Sequence, residues 1–482
     1  MTNNVKTLYI STEVYPFAKT GGLADVSAFL PKSLRAHGYD VRIMMPKFRN
    51  VKDHYNDQLK FVAAIDIQIA DRTSQAVVEM IEYNGNIVYF IDCPHYFDRD
   101  RLYDYEDEME RFVFFCKAVL EALPFLGFQP DVLHCNDWLT AFIPFFLKNE
   151  YSTRDFYSGM KSLFTIHALL YQGVFHKDNA SKVLHMDWAY FLEHGLDFYN
   201  QINCMKIGIK LADAVSTVSP SYAAEISKIS PLHMEPLTPV LNKRRKNLYG
   251  ILNGIDLDEN NPATDPRLYA NYDANDLSGK RQNKSKLQEA FGLPVREDVP
   301  VVAIISRLEI TKGLYLIEKS YHELLKDDLQ FIIVGDGIPY YDYLFTNIMK
   351  AFPDKMRYVA YNEDIAYQTY AGADIFLMPS YTEACGISQL IGMRYGTVPL
   401  VRETGGLRDT VQPYDEATGE GTGFSFKYAN QWVMLDAIRR AADLYRDNKP
   451  VWQTLVTRCM TQSLGWEHSA KSYIELYETM LR

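Results

Sequence analysis

Apolar residues recur along this chain in short runs, each closed by a turn and followed by a stretch with helical spacing. In the first half, runs that read as strands span Leu8 to Ser11, Val41 to Met45, Val77 to Ile81, Ile87 to Asp92, Val132 to Cys135, Leu163 to Ile166, Ala214 to Val218 and Leu248 to Leu252. In the second half they span Val301 to Ser306, Phe331 to Val334, Met356 to Ala360, Ile375 to Met378 and Val398 to Val401. Helical patterns such as 111–126, 387–395 and 466–477 separate or follow them. Strands alternating with helices predict doubly wound α/β architecture. A chain of 482 residues is too long for one ordinary domain, so two or three are expected.

The chemistry gathers where the strand runs stop. After Ile375 to Met378, Pro379 and Ser380 end the strand and Glu383 stands just outside it. Gly386 then opens a helical pattern, and after the next strand Thr404-Gly405-Gly406 makes a second strand-to-helix turn. Two adjacent turns at the carboxyl ends of parallel strands form a ligand crevice. Their backbone N–H groups, bare at helix starts, suit phosphate or sugar oxygens.

Other strand ends carry comparable groups. Lys19-Thr20-Gly21-Gly22-Leu23-Ala24-Asp25 follows the first strand, where the glycines let a ligand approach and Lys19 offers a flexible point charge. Asn136-Asp137-Trp138 and His167 end two further strands. Arg307 ends the strand from Val301, with Lys312-Gly313 five residues on, and two cations there would clamp a diphosphate. Gly335-Asp336-Gly337 lacks the third glycine of a dinucleotide fingerprint, its place being taken by Tyr340, so no nicotinamide or flavin site is expected.

These motifs together resemble bacterial and plastid glycogen/starch synthases. The resemblance rests on KTGGLADV, on His167 with Tyr171-Gln172-Gly173, on Asn253-Gly254-Ile255-Asp256, on Ser306-Arg307-Leu308 with Lys312-Gly313, and on Glu383-Ala384-Cys385-Gly386-Ile387-Ser388-Gln389 with Thr404-Gly405-Gly406-Leu407. It covers essentially the whole chain. It implies the GT-B fold, two doubly wound Rossmann-like domains facing a deep interdomain cleft. The first would be residues 1–255, completed by a C-terminal helix at 463–482, and the second 256–462, with a hinge at Asn253 to Asp256. It further implies transfer of glucose from ADP-glucose to the nonreducing 4-hydroxyl of an α-1,4-glucan with retention of configuration. His167, Arg307, Lys312 and Glu383 would be catalytic, and Lys19, Gly21, Gly22, Asp25, Asp137, Asn253, Cys385, Gly386, Thr404, Gly405 and Gly406 would bind substrate. No cofactor and no metal is implied.

The pattern is broken at three places. Leu139 and Ala168 stand where the family has a polar residue near the donor glucose, and residues 230–246 replace a glycine-containing loop. Retaining relatives with paired glutamates carry the second eight positions after the first, and here that position is Ile391. Two alternatives therefore stay open: a nucleotide-sugar or glucan-binding homologue with weakened catalysis, and a transferase of the same fold using another donor such as UDP-glucose.

Composition narrows the partners. Net charge is −11, from 50 basic and 61 acidic residues, which disfavours nucleic acid and anionic membranes. No apolar stretch approaches a membrane span and no signal-peptide pattern opens the chain, so a cytoplasmic protein is expected. The six cysteines show neither C-x-x-C nor zinc spacing and are expected as reduced core residues. The acidic, aromatic stretch from Tyr96 to Arg111 reads as a solvated surface loop entering a helix, and the Lys243 to Lys246 run as an exposed helix end or loop.

Overall fold

The run near the amino terminus becomes strand β1 (Lys6–Ile10), buried from its second residue onward, and a nine-stranded sheet grows on both sides of it. Its other members are β2 (Asp40–Pro46), β3 (Lys60–Ile69), β4 (Arg72–Tyr83), β5 (Asn86–Asp92), β6 (Val132–Asn136) and β7 (Lys161–Ile166), with β11 (Ala214–Thr217) and β12 (Leu248–Gly250) at one edge. The order is β12-β11-β7-β6-β1-β2-β5-β4-β3. Strands β8 (Val174–His176), β9 (Asp197–Phe198) and β10 (Gln201–Asn203) form a separate small antiparallel sheet. This is the computed structural model of the chain, and it describes residues 5–229 and 235–482.

From β12 to β5 the large sheet is parallel, as its buried runs imply. Beyond β5 it departs from a purely doubly wound sheet, because β3, β4 and β5 run antiparallel. Asn84 and Gly85 both take positive φ, 47° and 78°, the conformation of a tight hairpin turn between β4 and β5. Strand β3 alternates buried and exposed residues, as an edge with one wet face should.

The second sheet is parallel throughout. It contains β13 (Val301–Ile305), β14 (Gln330–Val334), β15 (Met356–Val359), β16 (Ile375–Met378), β17 (Val398–Arg402) and β18 (Phe424–Phe426), in the order β15-β14-β13-β16-β17-β18. Every residue of β13, β14 and β16 is buried, which accounts for their unbroken apolar character.

By contacts the chain divides into two units, Met1–Asn253 with Trp466–Arg482, and Gly254–Gly465. The last helix, Glu467–Leu481, belongs to the first unit, where it buries Tyr473 and Tyr477 and brings the Tyr477 hydroxyl within 2.7 Å of His134 Nδ1.

One expectation is corrected. The stretch from Tyr96 to Arg111 is no solvated face: Tyr96 and Phe97 are buried, and Arg111 has no exposure at all. A guanidinium can be buried when it is paired and hydrogen-bonded: Arg111 donates to Tyr96 O (2.9 Å) and Leu102 O (3.2 Å) and pairs with Glu108, while its Nη2 is left without a partner. The basic run is the exposed helix end expected, with Lys243, Arg245 and Lys246 exposed; Arg244 is half-buried and donates to Ala212 O (2.8 Å) and Asp213 O (3.1 Å). Of the altered 230–246 segment, residues 230–234 lie outside the described residues, and Thr238–Lys243 is helical. The second unit also carries a helix, Ser278–Ala290, with two buried lysines. Lys280 Nζ donates to four oxygens at 3.0 to 3.1 Å, and Lys284 pairs with Asp374 at 2.8 Å.

All six cysteines are buried and unpaired with one another. Among the described residues no helix is long and apolar enough to cross a membrane.

Candidate active site

In the first unit the candidate residues lie after β1, β6 and β7. The turn after β1 runs into the helix Gly22–Ala36, whose N-cap Gly21 has no side chain to cap it. Glu13 supplies the missing acceptor. Its Oε2 takes the N–H groups of Thr20 (2.5 Å) and Gly21 (3.2 Å), and its Oε1 takes the hydroxyls of Thr20 (2.7 Å) and Tyr103 (3.0 Å). The amide of Gly21 is therefore already engaged within the chain. Lys19 Nζ pairs with Asp25 at 2.8 Å and lies 5.1 Å from the Tyr15 ring centroid. Gly21 itself is extended, and a Cβ built on it would meet nothing within 4 Å, so packing alone does not require glycine there.

After β6, Asp137 is held at φ 56° and ψ 178°, a region that costs a side-chain-bearing residue strain. The strain aims its carboxyl at the neighbouring strand end, where Oδ1 accepts the backbone N–H of His167 at 2.8 Å. Burial pushes that carboxyl up to about 7, with the Glu13 charge adding to the effect. His167 is half-buried, its Nε2 is 2.8 Å from Asn136 Oδ1, and burial pushes its imidazole down to about 3. Gly173 lets the chain lie on the Trp138 ring, which a Cβ would meet at 2.2 Å. Leu139 is buried beneath this turn and Ala168 is half-buried.

In the second unit the candidates lie after β13, β16 and β17. Arg307 pairs with Glu309 at 3.0 Å. Lys312 closes a short helical turn before Gly313, where φ is 69° and a Cβ would stand 1.9 Å from Pro379 O. That close approach brings Lys312 Nζ to 2.7 Å from Glu383 Oε2, which Ser380 Oγ also meets at 3.1 Å. The Thr404-Gly405-Gly406 turn rests on the same backbone: Cβ atoms on Gly405 and Gly406 would lie 1.9 Å from Glu383 O and 2.3 Å from Cys385 O. The Gly406 N–H is spent there, on Glu383 O (3.2 Å) and Ala384 O (3.1 Å), so it is not the bare donor expected. Cys385 and Thr404 are buried, while Gly386 holds φ at 74°.

The structure thus groups Lys19, Gly21, Gly22 and Asp25 on one turn, with Asp137 and His167 side by side in the same unit. It groups Arg307, Lys312, Glu383, Cys385, Gly386, Thr404, Gly405 and Gly406 on three neighbouring strand ends of the other. Asn253 closes the first unit, 8% exposed, with its Oδ1 buried and lacking a partner. Sequence reasoning named Asn136 only as a neighbour of Asp137, and it passed over Glu13, Tyr103 and Glu309. Glu13 lies just past β1, beside a motif already singled out, and could have been found from that position. Tyr103 comes from a loop and gave no signal. Among the described residues no cluster of three or more His, Cys, Asp or Glu is placed to hold a metal ion.

Two Rossmann-like units with glycine turns and cations at their strand ends make up a glycosyltransferase of the GT-B fold. Residues 6–243 match the starch synthase catalytic domain, and residues 285–449 match glycosyl transferases group 1. The chain is 44% identical over 478 residues to the glycogen synthase of Anoxybacillus flavithermus, covering 99% of this chain and 98% of that one. It is 45% identical over 491 residues to the glycogen synthase of Desulforudis audaxviator, covering 98% and 96%. The solved catalytic domain of starch synthase IV from Arabidopsis thaliana, bound to ADP and acarbose, superposes with a TM-score of 0.90 at 33% identity over 99% of both chains. Sucrose-phosphate synthase from Thermosynechococcus elongatus, 17% identical with a TM-score of 0.60 over 99% of both chains, shares the fold. The chain belongs to the glycogen/starch synthase family.

Proposed function

We propose that this enzyme transfers glucose from ADP-glucose to the nonreducing 4-hydroxyl of an α-1,4-glucan, with the anomeric configuration retained. The observation that carries this reading is the grouping of Arg307, Lys312, Glu383 and the Gly405 turn at neighbouring strand ends, in a chain related along its whole length to glycogen synthases. The ADP held by the starch synthase IV relative supports an adenine nucleotide as the leaving group.

Arg307 and Lys312 bind the diphosphate and neutralise the charge that grows on it as the bond to the anomeric carbon breaks. Lys19, Gly21, Gly22 and Asp25 form the corresponding turn of the first unit. Both second-unit cations are held by internal carboxylates, Glu309 at 3.0 Å and Glu383 at 2.7 Å, which keep them oriented before substrate arrives. Glu383 accepts a hydroxyl of the donor glucose, and Cys385, Gly386 and Thr404 shape the backbone around it. Asp137 positions His167, which contacts the same sugar, and Asn253 offers its unpartnered carbonyl oxygen.

Double displacement needs a nucleophilic carboxylate and a second acid/base group. Ile391 stands where related enzymes with a glutamate pair have the second member, and Glu383 is tied to Lys312. Transfer on one face fits better. The bond from the anomeric carbon to the diphosphate breaks, the bond to the acceptor 4-oxygen forms on the same side, and the 4-hydroxyl proton passes to the departing phosphate oxygen. Lysine and arginine supply the positive charge, so the scheme uses no metal and no cofactor.

The test is glucosyl transfer to glycogen with ADP-glucose and UDP-glucose in parallel, followed by debranching and chain-length analysis. Chain extension with ADP-glucose is expected. Extension with UDP-glucose alone would overturn the donor assignment. No transfer from either, with calorimetric binding of ADP intact, would favour a binding protein.

A further inference from the structure

A buried carboxamide next to His167 fixes more than the ring's position. Asn136, the last residue of β6, has no exposure, and its Nδ2 donates to Ile10 O (2.9 Å) and His134 O (3.3 Å). Backbone carbonyls only accept, so the amide nitrogen must face them and Oδ1 must face the other way. On that side Oδ1 meets the Tyr9 hydroxyl at 3.0 Å and His167 Nε2 at 2.8 Å. An amide oxygen also only accepts. The hydrogen of the neutral imidazole must therefore sit on Nε2, which leaves the lone pair on Nδ1.

We infer that Asn136 is a positioning residue that locks His167 in the Nε2–H tautomer and so presents Nδ1 as an acceptor toward a hydroxyl of the donor sugar. The inference rests on the reading above that His167 contacts that sugar. The lock is well braced. The His167 backbone is pinned by Asp137 Oδ1 at 2.8 Å, so ring and main chain are held separately. Tyr9 lies edge-on to the His134 ring at 4.6 Å, and His134 is bonded at both nitrogens, to Tyr477 OH and Thr165 Oγ1, each at 2.7 Å. The last helix thereby buttresses the strand end that carries Asn136. A neutral carboxamide also differs from a carboxylate in this place, because it orients the ring without stabilising an imidazolium. His167 then serves as a hydrogen-bond acceptor and does not act as a proton donor.

The test is nitrogen-15 NMR of the full chain labelled at histidine, with His167 identified by its absence from the His167→Gln spectrum. In the wild type, His167 is expected to show a protonated Nε2 and an unprotonated Nδ1 from about pH 6 to 8, the range in which an ordinary histidine titrates. Asn136→Leu is expected to abolish that preference and lower kcat about tenfold or more, with KM for the glucan within about twofold, the pattern of a contact used mainly in the transition state. Asn136→Asp keeps the acceptor, so it is expected to keep the tautomer while moving the acid limb of the kcat profile to higher pH. An Nδ1–H tautomer in the wild type would overturn the inference. So would Asn136→Leu with tautomer and kcat unchanged. The wild-type spectrum requires neither a variant that folds nor turnover, so it decides the matter separately from the transfer assay.

Discussion

The two units place their candidate residues at the same topological position, the carboxyl ends of parallel strands, but fix them by different means. In the first unit side chains do it: Glu13 caps the Lys19 to Gly22 turn, Asn136 holds the His167 ring, and Asp137 holds its backbone. In the second, carboxylates hold Arg307 and Lys312, but the turns themselves lie main chain against main chain, and Cβ atoms on Gly313, Gly335, Gly405 and Gly406 would stand 1.9 to 2.3 Å from carbonyl oxygens. A site held by side chains can lose one hydrogen bond and keep its shape. A site held by glycines has no such slack, because even a methyl group forces the backbone to move. The second unit should therefore be the one in which small changes do the most harm.

The largest effect is expected where the second unit meets the leaving group. Arg307→Ala should cut kcat by roughly two to three orders of magnitude, the scale of losing one preorganised charge-stabilising group. Steady-state kinetics with saturating donor would measure it, and a loss under about threefold would remove Arg307 from the chemistry. Next comes Gly405→Ala. With φ at 45° and a Cβ 1.9 Å from Glu383 O, alanine must displace the backbone that carries Glu383. It should cost about 2 kcal/mol or more, visible as a lower calorimetric unfolding midpoint together with lost turnover. An unchanged midpoint would mean that the turn is not held as tightly as its glycines imply.

The same contrast explains what the sequence made legible. Strands β13, β14 and β16 of the second unit are buried on both faces and stand out as apolar runs, whereas β15 is half-buried and β18 is a short alternating strand that the sequence reading missed; glycines forced by close approach stand out as motifs. In the first unit, β3 was missed and β4 was read only over Val77 to Ile81, because their half-exposed faces mix polar residues into the pattern; the Asn84-Gly85 pair at the β4–β5 hairpin was a signal left unused. Arg111 and Glu108 look like surface charges in sequence, since nothing local reveals that two backbone carbonyls await the guanidinium. Lys280 was hidden for the same reason: its four acceptors come from residues about 90 to 120 positions away. Burial of a charge depends on distant partners, and a strand pattern does not.

A titration probes the side-chain scaffold of the first unit more finely. Asp137 has an ordinary value of 3.8 and is held up to about 7. Between those values the folded chain keeps a proton that the unfolded chain has released. The stability this group lends is complete below about pH 4 and is lost as pH rises through 7. His167 works in the opposite direction: pushed from 6.5 down to about 3, it adds stability as pH rises across that interval. Comparing Asp137→Asn with the wild type leaves the His167 contribution common to both. Asparagine also tolerates positive φ better than most residues. The unfolding midpoint of the variant, relative to wild type, should rise between pH 4.5 and pH 7.5, and a fall would contradict a raised Asp137 carboxyl.

The smallest effect should come from Gly21→Ala, the counterpart in the first unit of Gly405→Ala. Gly21 is extended at φ −157°, a conformation any residue adopts, and a Cβ there meets no protein atom within 4 Å. Its amide stays on Glu13 whichever side chain it carries, because the contact is through the backbone. Stability should change by less than about 0.5 kcal/mol, as for an ordinary surface substitution. If the turn faces the donor as proposed, the methyl group instead occupies space left for substrate, and KM for the donor rises with the unfolding midpoint unchanged. A lowered midpoint would show that this turn too depends on a packed glycine, and the distinction between the two ways of building a strand-end site would fail there.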